Sequence, residues 1–379
     1  MLKSLFLSLL VLSVSFVALS QKKQASNKED KWDTYIQNWM QKDSVPGIYL
    51  VIAKDGKVLK ERGYGYANLE FKTTPQTNTV FEIGSITNMF TALGIAMLSE
   101  QGKLHLDSSI TQYIDSLPSF WKYITVRHLL YHAHGLYPEH FDYTMLHSPA
   151  NMRYTVREQQ YYLMSKRQYS FTGKTAYFSN SAFFLLGIII QNLSGTTYNE
   201  FIQKNIFNKV GMNNSSFIDA EARIPNKAQG YTLRKGKWIR WSLEQNLQSL
   251  DCNSFAGILS SPGDMLLFDK ALLSNSLVKK ETYQQMLQPF ILVDGSPATS
   301  GRSNWGMGCL VRDINGYQSV SHTGTSGTAF YRFPNEGLCL IILTNLGQGN
   351  DFVKDKGADM LTNGYKLAEE AVAEYLMKK

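Results

Sequence analysis

Three short segments carry residue types that could do chemistry together. The first is Phe81-Glu82-Ile83-Gly84-Ser85-Ile86-Thr87-Asn88, which runs into a helical pattern from Met89. A serine entering a helix lies beside unpaired backbone N–H groups and the positive end of the helix dipole. That setting suits a nucleophile whose attack on a carbonyl creates an oxyanion. The second segment is Tyr177-Phe178-Ser179-Asn180, which opens an apolar helix. The third is His322-Thr323-Gly324-Thr325, on or beside a strand. Taken alone, each has a structural explanation, and Ser85 by itself is a good helix N-cap. In this order along one chain they form a set.

The elements that must position them follow from periodicity. Apolar residues at Trp32, Tyr35, Ile36, Trp39 and Met40 predict a helix over 32–41, broken by Ser44-Val45-Pro46-Gly47. Ile48 to Ala53 and Val58 to Tyr66 are β-rich runs, and Asp55-Gly56 between them is a hairpin signal. Helical patterns dominate from 85 to about 210, for example Met89 to Gln101 and Ser181 to Leu193, closing on Gly102 and Gly195. Strands return at Ser319–Ser321, Ala329–Phe333 and Leu338–Thr344, with Pro334-Asn335-Glu336-Gly337 as a turn. Lys366 to Lys378 reads as a closing amphipathic helix. The economical solution is a two-lobed α/β fold. Its antiparallel sheet is built from both chain ends, and an all-helical lobe, roughly residues 85–260, is inserted between. Ligand sites commonly form in the cleft between such lobes.

The three segments together resemble the serine β-lactamase and penicillin-binding-protein family, especially its class C and esterase-like branch. The motifs of that family are S-x-x-K, Y-x-N or S-x-N, and K/H-T-G. Thr125-Val126-Arg127-His128-Leu129-Leu130, His132-Ala133-His134-Gly135-Leu136 and Leu343-Thr344-Asn345 extend the resemblance over about residues 32 to 378. It implies that Ser85 is the acylating nucleophile, with its backbone N–H and that of Thr325 as the oxyanion hole. It also implies that His322, Thr323 and Gly324 shape the substrate-facing sheet edge, and that Asn180 contacts a substrate amide. No cofactor or metal is implied.

Two departures bear on activity. Where the family has lysine, three residues after the serine, this chain has Asn88. Position i+3 lies on the serine's face of the helix, and an amide cannot take its proton. Where the family has tyrosine, two residues before Asn180, stands Phe178; Tyr177 is one residue out of register. A serine hydroxyl without a base is a poor nucleophile. Loss of its activating groups costs about 10⁴- to 10⁶-fold. A replacement base could come from His134, Glu139 or His140, which are otherwise structural or loop residues. Two functions stay open: a serine hydrolase or acyltransferase acting on an ester, amide or peptide with weak or altered activity, and an inactive relative that binds a ligand, cell-wall peptide or protein partner.

The ends and the composition bound the rest. Lys3 is the only charge ahead of an apolar run from Leu5 to Leu19, and Ala18 and Ser20 offer a cleavage site before Gln21. Residues 1–20 therefore read as a signal peptide, with an uncleaved membrane anchor as the alternative. Export to the periplasm or the extracellular medium is expected, with no stable membrane span in the mature chain. Residues 21–31 read as a flexible leader to a single domain over 32–379. Scattered lysines and arginines behind a net charge of +7 argue for solubility or a weak surface attraction and against nucleic-acid binding. Cys252, Cys309 and Cys339 are too few and too far apart for a disulfide framework, so buried thiols are expected. His128, His132 and His134 have loosely metal-like spacing, but structural roles account for them better. Trp305-Gly306-Met307-Gly308 is either a substrate-contacting strand or a strand whose glycines allow close backbone approach.

Overall fold

A computed structural model describes residues 29–136, 155–166, 168–219, 221–242, 253–347 and 357–378. The expected signal segment, Glu139, His140 and Cys252 lie outside the described residues.

The chain ends meet in one sheet. Helix α1 (Lys31–Asp43) leads into β1 (Gly47–Lys54) and β2 (Lys57–Gly65). At the other end, β8 (Thr299–Ser300), β9 (Ser303–Gly306), β10 (Cys309–Ile314), β11 (Tyr317–Thr323), β12 (Ala329–Phe333) and β13 (Leu338–Thr344) follow one another. The eight strands lie in the order β2-β1-β13-β12-β11-β10-β9-β8. β1 joins the two ends by pairing antiparallel with β13, Ile48 opposite Thr344 and Lys54 opposite Leu338.

The apolar runs of β1 and β13 do not alternate with polar residues because both faces of the sheet are covered. Ile48, Leu50, Ile52, Leu340 and Ile342 pack with Trp32, Ile36 and Trp39 of α1 and with Leu367, Ala371 and Val372 of the C-terminal helix, Gly357–Val372. Tyr49, Val51, Ile341 and Leu343 face the opposite core, with the helical part of the molecule. Each such fully buried aliphatic side chain contributes about 1.5–3 kcal/mol. The β1–β2 turn bears out the Asp-Gly signal: Asp55 (φ 51°) and Gly56 (φ 69°) both take the left-handed conformation that a two-residue hairpin of the native twist requires.

α1 starts at Lys31, one residue before the periodicity placed it, and Asp30 caps it through a capping box with Asp33. The last two residues of the expected leader therefore belong to the fold. Burial alone would raise the Asp33 carboxyl, but hydrogen bonds from Lys60 and Tyr64 outweigh it and hold the group well below the usual carboxylate range. These contacts (Lys60 Nζ at 2.9 Å, Tyr64 Oη at 2.6 Å) fasten α1 to the charged edge strand β2.

Between the two halves of the sheet come β3 (Phe81–Glu82), helix α2 (Thr87–Glu100), helix α3 (Val126–Leu130), helix α4 (Val156–Met164) and helix α5 (Asn180–Ser194). α2 is buried from Thr87 to Leu98. α5 ends on Gly195 in the left-handed conformation. The insert is helical in its first part; beyond Val210 it also carries β4 (Ser216–Phe217), the hairpin β5 (Gly230–Arg234) and β6 (Lys237–Trp241), and β7 (Ile258–Ser260). The all-helical description therefore holds only up to that point. β4–β7 were hidden from periodicity because strands of two to five residues show too few alternations. Cys309 and Cys339 are buried free thiols, as expected. Among the described residues, no helix is long and apolar enough to cross a membrane.

Candidate active site

Ser85 does not cap a helix. It sits in a 3₁₀ turn, Gly84–Ile86, that precedes α2, and the residue at the α2 cap position, Ile86, makes no side-chain cap bond. Ser85 is 7% exposed, and among the described residues no group hydrogen-bonds its hydroxyl. The N-cap explanation of this serine is therefore gone.

The turn is held by its flanks. β3 pairs with β7, Glu82 opposite Leu259, and the Ile83 N–H donates to Ile258 O at 3.1 Å. Behind the turn, the Ser326 hydroxyl donates to Glu82 O (2.7 Å) and the Thr328 hydroxyl to Ile83 O (3.1 Å). The segment after β11 is thus tied to the two carbonyls ahead of Ser85. Two glycines make the fit possible. Gly84 has φ 56°, and a Cβ there would stand 3.0 Å from the Thr325 nitrogen. A Cβ on Gly324 would stand 2.3 Å from Ile83 O. Among the described residues, neither the Ser85 N–H nor the Thr325 N–H donates to a backbone carbonyl. Two unused donors therefore flank the serine turn, which is what an oxyanion site needs.

Asn88 is fully buried, and its amide nitrogen lies 3.3 Å from Nε2 of His322. His322 Nδ1 lies 2.9 Å from the Thr323 carbonyl. A carbonyl only accepts, so Nδ1 carries the proton and Nε2 its lone pair, which accepts from the Asn88 amide. Burial pushes the His322 imidazolium down to about 4. The pair is neutral at ordinary pH, and the Asn88 Oδ1 atom has no partner among the described residues.

Phe178 is half-buried on a platform of rings: His132 at 5.1 Å, Trp305 at 6.1 Å and His322 at 6.3 Å between centroids. Its segment is bolted to His132, whose carbonyl accepts from the Tyr177 N–H (3.0 Å) and whose Nδ1 accepts from the Ser179 N–H (3.1 Å). Tyr177 is 46% exposed and meets Tyr169 edge-on, away from this platform. Ser179 caps α5 through Ala182, and Asn180 is its first residue, with Oδ1 buried and unpartnered among the described residues.

The structure thus brings Ser85, Gly324 and Thr325 together at the turn. Asn88, His322 and Phe178 are joined beside it by the Asn88–His322 bond and the ring contacts, and Thr323 holds the His322 tautomer. No hydrogen bond of the Asn180 side chain ties it to them among the described residues. Sequence reasoning missed the Asn88–His322 bond, which spans 234 positions and leaves no local signal, and it missed Trp305 as the floor under Phe178. The glycines of the Trp305–Gly308 segment serve close approach: a Cβ on Gly308 would stand 2.6 Å from Asn88 O.

The neighbouring histidines are structural. His128 closes a capping box with Thr125 at the start of α3. His134 Nδ1 accepts from the Leu136 N–H at 2.9 Å, and burial pushes its imidazolium down to about 3, which makes it a poor base. No group of three or more His, Cys, Asp or Glu side chains among the described residues could hold a metal ion.

A family model described as Beta-lactamase matches residues 32–363. The chain belongs to the beta-lactamase family. It is 26% identical over 330 residues to Protein flp of Staphylococcus aureus (strain NCTC 8325 / PS 47), covering 85% of this chain and 64% of that one. The chain thus spans under two thirds of the length of that relative. It is 26% identical over 347 residues to Penicillin-binding protein 4* of Bacillus subtilis (strain 168), covering 86% of this chain and 74% of the relative. Among solved structures, the octameric penicillin-binding protein homologue from Pyrococcus abyssi superposes with a TM-score of 0.74 at 27% identity, over 88% of this chain and 77% of that one. The fold is the mixed α/β fold of beta-lactamases and penicillin-binding proteins, and the wider family is one of hydrolases.

Proposed function

We propose that this beta-lactamase-family chain binds an ester, amide or peptide carbonyl at Ser85 and turns it over weakly, because the family's proton acceptors are replaced. The observation that carries this is the Asn88–His322 bond. It puts two neutral groups, one of them with its lone pair already engaged, where the family has a lysine that accepts the serine's proton. Phe178 brings an aromatic ring to the tyrosine's place without a hydroxyl. Ser85 and the unused N–H groups of Ser85 and Thr325 support a carbonyl-binding geometry that outlasts the loss of the base. What binding and an oxyanion hole alone supply is about 10³- to 10⁴-fold over water. Asn180, Thr323 and Gly324 would line the cleft on the substrate side.

The purified chain is incubated with a fluorophosphonate and, separately, with a penicillin, and its intact mass is followed beside a Ser85→Ala control. We expect a fluorophosphonate adduct that builds over hours and is missing from the control, and no lasting penicillin adduct. Adducts that complete within minutes would overturn the impaired-turnover reading and point to a base at Glu139 or His140. No adduct at all would favour the second reading, a ligand-binding relative without acyl chemistry. The unused Ser85 and Thr325 N–H groups lend that reading its support, since a bound ligand's carbonyl would satisfy them whether or not it is attacked. We also propose export through the Leu5–Leu19 segment; secreted protein beginning elsewhere than near Gln21 would count against it.

A further inference from the structure

The β5–β6 hairpin stands apart from the sheet that carries the site. Its base is fastened: the Tyr231 N–H donates to Asn345 O (2.9 Å), and Gly347 N–H donates to Tyr231 O (2.6 Å). Its tip turns through Lys235 (φ 48°) and Gly236 (φ 72°), with Arg234 opposite Lys237. Every residue of β6 except Trp241 is exposed, on both faces of the strand. Trp238 is 39% and Ile239 40% exposed, and no strand among the described residues pairs with the outer edge of β6.

A second segment lies against the hairpin. The Leu69 N–H donates to the Tyr231 hydroxyl, the same hydroxyl donates to the Glu70 carboxylate, and Arg240 pairs with Glu70 at 2.8 Å. The turn so attached carries Phe71, 79% exposed, and Lys72. Glu70 is thus taken up by Tyr231 and Arg240. Lys72, Arg234, Lys235 and Lys237 have no ion pair among the described residues.

Exposed large apolar side chains carried on the same hairpin and turn as cations without ion partners match the boundary of an anionic bilayer. Trp and Phe settle at the headgroup level, and lysine and arginine meet the lipid charge while their stems lie along the apolar surface. We propose that the β5–β6 hairpin, with the Phe71–Lys72 turn, is a peripheral docking surface for an anionic lipid bilayer. It would hold the domain at a membrane without any spanning segment.

The test is co-sedimentation of the chain from Gln21 onward, which retains every described residue, with vesicles of phosphatidylglycerol in phosphatidylcholine and with phosphatidylcholine alone. We expect binding to the anionic vesicles only, weakened by salt. Lys235→Gln with Lys237→Gln should lower the partition coefficient roughly fivefold for each cation removed. Trp238→Ser with Ile239→Ser should abolish binding at equal charge. Fluorophosphonate labelling of Ser85 and the melting temperature should stay unchanged in both variants, which separates loss of docking from loss of folding or of the acyl site. No binding to anionic vesicles, or binding that neither pair alters, would overturn the proposal. So would a dimer in sedimentation velocity that Trp238→Ser with Ile239→Ser dissolves while vesicles bind nothing, which would assign the open edge of β6 to a second copy.

Discussion

The side-chain amide of Asn88 donates to Nε2 of His322 across 3.3 Å, and the other ring nitrogen of His322 is committed to the Thr323 carbonyl. On the function proposed above, this bond fixes an amide at the position of the family's motif lysine, and it engages the lone pair of the His322 imidazole.

Restoring the missing groups should therefore restore chemistry. Asn88→Lys with Phe178→Tyr is expected to raise turnover of a p-nitrophenyl ester by about 10- to 100-fold, equivalent to roughly 1.4–2.7 kcal/mol of barrier. The gain should vanish when Ser85→Ala is added. A folded double variant without any gain would mean that the cleft has diverged beyond these two positions.

Acid should destabilise the fold well above the pKa of its buried histidines. His322 and His128 are each pushed down to about 4 by burial, and His134 to about 3. An unfolded imidazole titrates near 6.5, so between about 4 and 6.5 the unfolded chain binds more protons than the folded one. Stability is then complete above that window and falls as pH drops through it, by about 3 kcal/mol for His322 alone. Urea midpoints at pH 7 and pH 5 check this, and His322→Gln should flatten the slope by up to one proton.

Gly324 should tolerate no side chain. Gly324→Ala places a Cβ 2.3 Å from Ile83 O and from the Thr328 hydroxyl, so the strand end must move away from the Ser85 turn. A loss of about 1–3 kcal/mol and slower phosphonylation of Ser85 are expected. Thermal melts and the labelling rate report them.

A buried charge pair between β12 and the helix Pro262–Leu273 offers a separate test. Arg332 and Asp269 are both about 1% exposed and meet at 2.5 Å, with Tyr283 also on the guanidinium. Arg332→Met should cost about 3–5 kcal/mol, because it strands a buried carboxylate. Adding Asp269→Leu should recover much of that loss, as seen in urea denaturation.

Local signals carried most of this fold into view. Asp55-Gly56 announced a hairpin because its twist needs two left-handed residues, and Gly195 ended α5 for the same conformational reason. β12 and β13 were legible to the residue, since apolar runs bounded by Pro334 and Gly337 leave little choice. At the site, the substitutions at Asn88 and Phe178 could be read from motif register. Their consequence could not. That Asn88 meets His322, and that Phe178 rests on Trp305 and His132, depends on contacts closed by the whole fold.

The pairing of β1 with β13 has a kinetic side. Lys31 meets Glu374 and Trp32 stacks on Tyr375, partners 343 positions apart. Contacts so distant in the chain close late. Until β13 emerges from the ribosome, the inner edge of β1 stays open with its apolar residues uncovered, so the N-terminal hairpin must wait, unfolded or chaperoned, for nearly the entire polypeptide. A sheet built this way seals only when its last strands arrive.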